Sequence, residues 1–191
     1  MSAGRGAKSW LINSGLGQEN SVSEASPSEV PRVNVLGVGI SALNMNTALE
    51  QVLEGAAKPG FAGYVTVSGV HGVMESSRDP ELRRIHNRSY LSTPDGMPMV
   101  WVAKWNGQSE VERVYGPDLM LEVVQATAAT GRTHYFWGGN EGVAEELAER
   151  MVEQFPGTEV TGTCCPPFRP LTNAEEKELV RLDVFLILLQ V

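Results

Sequence analysis

The feature that most constrains this chain is an alternation. From Val33 to Leu189, short β-branched or aromatic runs take turns with longer segments whose apolar residues recur at helical spacing, and Gly or Pro punctuates most of the junctions. A strand followed by a helix and then another strand returns to the same sheet in the same direction, so the pattern predicts parallel pairing. Strands are predicted at Val33–Val38, Gly63–Ser68, Tyr90–Gly96, Thr133–Trp137, Glu159–Gly162 and Val184–Leu189. Ser41 is the expected cap of a first helix carrying Leu43, Ala48, Leu49, Val52 and Leu53. Helical segments follow at His71–Asn87 (broken near Pro80), from Met97 to Trp105, and from Leu119 to Ala129. Another runs from Gly142 to Phe155, with Val143, Leu147, Met151, Val152 and Phe155 read as one inward face. Thr172 and Glu175 form a capping-box pattern that opens a last helix to about Leu182. The fold class is therefore α/β, Rossmann-like, with alternating strands and helices and a mostly parallel sheet.

Composition narrows the function. Hydrophobic residues make up 42%, enough for a core, and 15 Lys+Arg against 23 Asp+Glu give a net charge of −8. That balance excludes a generic nucleic-acid binder, which needs clustered cations on phosphate. The two cysteines, Cys164 and Cys165, are adjacent, so there is no disulfide framework and a reducing, cytoplasmic setting fits. The longest apolar run, Val184–Leu189, is far short of a membrane span. Residues 1–31 are rich in Gly, Ser, Glu and Pro and read as a flexible leader, with Trp10, Leu11 and Ile12 as a small apolar cluster; 32–191 reads as the α/β domain.

In open α/β sheets, ligands sit in the loops leaving the carboxyl ends of strands, which directs attention to three segments. Gly138, Gly139, Asn140 and Gly142 lie between a strand and a helix, where free amides suit a phosphate. Glu159, about 20 residues on, stands where a ribose-binding acid is often found. The spacing is an incomplete dinucleotide fingerprint, and an ordinary turn explains it equally. Asp95, in Thr93-Pro94-Asp95-Gly96, is either a turn former or a general base. Thr66, Ser68 and His71 close the second strand and are candidates for a sugar or phosphate, though a plain helix start accounts for His71 as well. There is no Walker motif, no Gly-x-Ser-x-Gly, no Asp-x-Asp and no zinc-type constellation, so neither a metal nor a cofactor is expected.

Taken in order, Thr66-Val-Ser-Gly-Val-His-Gly-Val, Leu91-Ser-Thr-Pro-Asp-Gly-Met-Pro-Met-Val, Tyr115-Gly-Pro-Asp-Leu, Phe136-Trp-Gly-Gly with Gly142-Val-Ala-Glu, and Phe155-Pro-Gly resemble the WecG/TagA/CpsF glycosyltransferases. The resemblance covers about Val33 to Leu189. It implies an inverting, metal-independent transfer of an N-acetylmannosamine-type or related sugar. The implied donor is a UDP-sugar, and the implied acceptor is a polyprenyl-diphosphate-linked sugar of cell-surface polysaccharide synthesis. It implies Asp95 as the base that deprotonates the acceptor hydroxyl, and Thr66 near a substrate sugar. Ser68 stands where many members have Asn. Gly138 and Gly139 match the loop expected to hold the donor diphosphate, and Gly116 and Asp118 match a Gly-x-Asp-Leu motif that fits a structural role. Arg83 and Arg88 are candidates to neutralise acceptor diphosphate, or simply exposed helix arginines. The resemblance also implies a cytoplasmic protein peripheral to the inner face of the membrane. An apolar last strand makes a homo-oligomer an expectation too. Members continue past that strand into a Gly-x-Pro-x-Gln-Glu loop, so the chain is expected to be incomplete at its C-terminus. The alternatives are an inactive nucleotide- or partner-binding relative and, from a different class, a small NAD(P) oxidoreductase.

Overall fold

A computed structural model describes residues 28–167, 169, 172, 173, 175 and 185–189. Most of the expected leader lies outside these residues; within its described end, Ser28 N–H donates to Tyr90 O at 3.1 Å and Pro31 O accepts from Ala42 N–H at 2.7 Å. The chain divides into two compact units, one ending at Val123 and the other beginning at Val124.

The first unit corrects the expected opening strand. Residues 33–38 are not one strand but part of a hairpin, β1 (Arg32–Val35) and β2 (Val38–Ser41), paired antiparallel with Val35 opposite Val38. The reversal is made by Leu36 and Gly37, at φ 53° and φ 90°. Two consecutive positive φ values match the twist of adjoining strands. A leucine there is strained, and the turn is pinned from outside: Asn87 Nδ2 donates to Gly37 O at 2.9 Å while its Oδ1 accepts from Gly39 N–H at 2.8 Å. Ser41 is likewise not a cap. It ends β2, is buried, and its Oγ accepts from Ser92 N–H at 3.0 Å. The cap of α1 (Met45–Ala57) is Asn44, in a reciprocal box with Thr47.

Next come β3 (Val65–Ser68), α2 (Val70–Arg78), α3 (Pro80–Arg88) and β4 (Leu91–Pro94). The expected break at Pro80 is present: Asp79 ends α2 and caps α3, accepting from Glu81 and Leu82 N–H, with Pro80 at the first helical position. β3 and β4 pair in parallel, Val65 opposite Leu91 and Ser68 opposite Pro94. α4 (Met97–Trp105) turns Met99, Val100 and Ala103 into a core shared with Val33, Val35, Val38, Ile40, Val73 and Val111. α5 (Gly116–Thr127) carries the chain past the division.

The second unit holds β5 (Thr133–Gly138), α6 (Val143–Gln154), β6 (Glu159–Cys164) and β7 (Phe185–Leu189), with strand order β6-β5-β7 and parallel pairing throughout. The inward face of α6 differs from the one expected. Ala144, Ala148 and Met151 are buried, whereas Val143 and Val152 are 42% and 44% exposed. The Thr172–Glu175 box forms, Thr172 N–H donating to Glu175 Oε2 at 2.7 Å; the helix expected beyond it lies outside the described residues. The fold is α/β, parallel in every sheet but the hairpin. Among the described residues no helix is long and apolar enough to cross a membrane.

Candidate active site

Because β3 and β4 run parallel and in register, their carboxyl ends deliver Ser68-Gly69 and Pro94-Asp95 to the same edge. Asp95 N–H donates to Ser68 O at 3.1 Å, extending the ladder by one step, and Val114 N–H donates to Pro94 O at 2.9 Å from the other side. The backbone at Asp95 is thus fixed on both flanks. Its side chain stays 27% exposed, with Oδ1 3.3 Å from Nε of Arg113. The Arg113 guanidinium in turn lies over the Tyr115 ring, Cζ 4.6 Å from the centroid. Val114, between these two, is fully buried and anchors the segment. Val67, Val70 and Met97, all half-exposed, lie within three residues of the Ser68-Gly69 and Pro94-Asp95 junctions. A carboxylate held by its backbone, open to solvent and contacted by one guanidinium edge can accept a proton from an incoming hydroxyl.

The other sequence candidates distribute unevenly. Ser68 is fully buried; its Oγ is 2.7 Å from Ser92 Oγ and also reaches Thr66 Oγ1 at 3.4 Å. Thr66 Oγ1 bonds Leu91 O and Ser89 Oγ, each at 3.4 Å. These hydroxyls tie β3 to β4, and Ser68 reaches Asp95 through its carbonyl rather than its side chain. His71 stands in the first turn of α2 at the same strand end, its side chain 88% exposed and its Nε2 3.7 Å from Glu75 Oε1. Arg83 and Arg88 lie elsewhere. The stem of Arg83 covers Gly37, where an added Cβ would come within 3.1 Å of its Cδ. Arg88 ends α3, just before the start of β4 and so at the strand end opposite Asp95. The cation beside the carboxylate is Arg113, which the sequence reading passed over. The apolar pair Val111-x-x-Val114, both fully buried, leads into the Tyr115-Gly116-Pro117-Asp118 motif and marks an anchored segment, but it does not point to a carboxylate partner. Gly116 in that motif is structural, since a Cβ there would sit 3.0 Å from Val67 Cγ2. Asp118 supplies negative charge to the first turn of α5.

In the second unit, the turn after β5 has left-handed backbone at Gly138, Gly139 and Gly142, with φ of 125°, 77° and 85°. A Cβ on Gly139 would approach Val143 Cβ to 2.9 Å. Asn140 is exposed, and its carbonyl accepts from Val143 N–H at 3.0 Å. Glu145 and Glu146 occupy the first turn of α6, where they answer the helix dipole with the protein's own charge. Glu159 does not join this turn. It is the first residue of β6 and pairs with Thr133, the first of β5, so it sits at the other end of the sheet, about 16 Å from Gly138 at ~3.3 Å per residue. The ribose-binding reading of Glu159 fails on that geometry. Burial pushes the Cys164 thiol up, which opposes a thiolate role. Among the described residues no group of three or more His, Cys, Asp or Glu is placed to hold a metal ion.

Comparison with known proteins gives the family. Over 88 residues the chain is 27% identical to a protein of Bacillus spizizenii (strain ATCC 23059 / NRRL B-14472 / W23), N-acetylglucosaminyldiphosphoundecaprenol N-acetyl-beta-D-mannosaminyltransferase. That match takes in 46% of this chain and 34% of the relative, so the chain spans about a third of that curated protein. The family model described as Glycosyl transferase WecG/TagA/CpsF family matches residues 33–182, from β1 to beyond β6. The chain belongs to the WecG/TagA/CpsF glycosyl transferase family.

Proposed function

We propose that this chain catalyses inverting, metal-independent transfer of an N-acetylhexosamine-type sugar, of the N-acetylmannosamine kind, from UDP to a sugar on a polyprenyl diphosphate in cell-surface polysaccharide synthesis. One observation carries the reading: in a member of a glycosyltransferase family, the carboxylate of Asp95 stands at the carboxyl end of a parallel strand, backbone-fixed and still open to solvent. Asp95 takes the proton of the acceptor hydroxyl as that oxygen bonds to the anomeric carbon. The bond from that carbon to the diphosphate breaks on the opposite face, and its electron pair leaves with UDP. Attack and departure on opposite faces invert the anomeric centre. Arg113 supplies positive charge beside the carboxylate, and His71, exposed in the first turn of α2, is the neighbouring polar group for substrate. The relative's name supports a lipid-linked acceptor. The reading also has the protein work on the cytoplasmic face of the membrane as a peripheral protein.

The test is a transfer assay. Purified chain is incubated with UDP-N-acetylmannosamine and a short-chain polyprenyl-diphosphate N-acetylglucosamine, and the anomeric configuration of the product is read by NMR. A disaccharide-lipid with inverted linkage is expected. UDP binding by calorimetry without turnover would replace this reading with that of a nucleotide-binding relative.

A further inference from the structure

We infer that Tyr115 is a positioning residue: its ring holds the Arg113 guanidinium in an orientation that lets only Nε reach Asp95, leaving the second carboxylate oxygen for the acceptor hydroxyl. The inference rests on the reading of Asp95 as the base. An arginine beside a carboxylate ordinarily closes a fork, two parallel N–H donors on two oxygens. Here the pair makes a single contact, Arg113 Nε to Asp95 Oδ1 at 3.3 Å. The group that fixes the guanidinium lies beside it. Its carbon lies 4.6 Å from the centroid of Tyr115, within the range where the ring face attracts a cation. The platform is itself fixed. Val114 is fully buried and donates to Pro94 O, the residue before Asp95, so Arg113 and Tyr115 flank an anchor tied to the strand that carries the base. On the other side of Tyr115, Gly116 lies close to Val67, where an added Cβ would come within 3.0 Å of Cγ2. A fork would put a second N–H donor on the other oxygen of Asp95 and make it a weaker base toward the hydroxyl proton. The ring fixes the plane of the guanidinium with only Nε turned to the carboxylate, and keeps the positive charge beside it.

The experiment compares Tyr115→Leu with Tyr115→Phe. Tyr115 is 40% exposed, so neither change opens a core cavity. With leucine, the guanidinium loses its platform; a stack at an exposed site corresponds to a fall in kcat of about two- to fivefold. KM for the acceptor stays within a factor of about two, because the group affected serves the proton transfer. Phenylalanine keeps the ring face and restores kcat. Nitrogen-15 NMR of the arginine side chains provides a readout independent of turnover: the Arg113 Nε–H resonance moves in the leucine variant and holds in the phenylalanine variant. An unmoved resonance with wild-type kcat in Tyr115→Leu would overturn the inference, and so would equal losses in both variants, which would assign the effect to the hydroxyl. Failure of the underlying reading looks different: Asp95→Asn would then turn over like the wild type, whatever the Arg113 resonance does.

Discussion

Replacing Asp95 with asparagine separates the chemical role of the carboxylate from its structural one. Asparagine has nearly the same shape, and the bond that fixes this position, Asp95 N–H to Ser68 O at 3.1 Å, belongs to the backbone and survives. What is lost is the negative charge and its 3.3 Å contact with Arg113, between side chains 27% and 48% exposed. An ion pair so open to water contributes about 1 kcal/mol or less. For a chain of this size that is a fall in Tm of about 2–4 °C. The kinetic effect is of another order. A positioned general base contributes about 10²–10⁴-fold, or about 3–5 kcal/mol of barrier. Asp95→Asn is therefore expected to lose at least a hundredfold in kcat while its melting curve barely moves. Transfer assays and circular-dichroism melts on the same preparation measure both. A variant that keeps kcat within tenfold of wild type would refute the base assignment. A collapse in Tm of more than about 8 °C would show that the carboxylate holds the loop together.

The remaining predictions concern stability. Ser68→Ala removes the buried bond to Ser92 and should cost about 1–3 kcal/mol in urea melts while kcat holds; a kinetic loss without a stability loss would restore the substrate-contact role that the structure denies Ser68. Gly157→Ala should be much worse than Gly60→Ala. Both glycines have positive φ, costing about 1 kcal/mol for alanine, but a Cβ at Gly157 would lie 2.9 Å from the backbone nitrogen of Ala129, whereas Gly60 has open space. Equal losses in denaturant titration would contradict that difference. His86 and His134 are both buried, against Ser76 Oγ at 2.6 Å and Thr127 Oγ1 at 2.9 Å, and burial lowers the pKa of each. Below the unfolded value of about 6.5, the unfolded chain then binds more protons than the native one. Stability is complete above about pH 7.5 and falls as pH drops through 6.5, by at most about 1.4 kcal/mol per pH unit for each histidine. Unchanged urea midpoints between pH 7.5 and 5.5 would refute it.

What the sequence disclosed, and what it withheld, follows the range of the interactions involved. The alternation of strands and helices was legible because each element is set by neighbours within a turn or two, as at Pro80 with Asp79 or Thr172 with Glu175. The hairpin at Leu36-Gly37 was misread as a strand because a leucine at φ 53° contradicts local preference, and the group that holds the turn, Asn87, is 50 residues away. Ser41 reads as a cap by type, but its hydroxyl was claimed by Ser92, 51 residues on. The site divides in the same way. Asp95 could be picked out because its position depends on a local strand-to-turn junction and on the family motif around it. Arg113 could not, because nothing in its immediate sequence says that Val114 will bond to Pro94 and carry its neighbours to the carboxylate. Arg83 and Arg88 were candidates by charge alone, and charge does not say which end of a strand a helix faces. In a parallel βαβ unit the loop leaving a strand and the helix returning to the next one reach opposite ends of the sheet. A cation that serves the carboxyl end of β4 therefore cannot come from the last turn of α3; Arg113 reaches it from the connection between α4 and α5, which Val114 ties to Pro94.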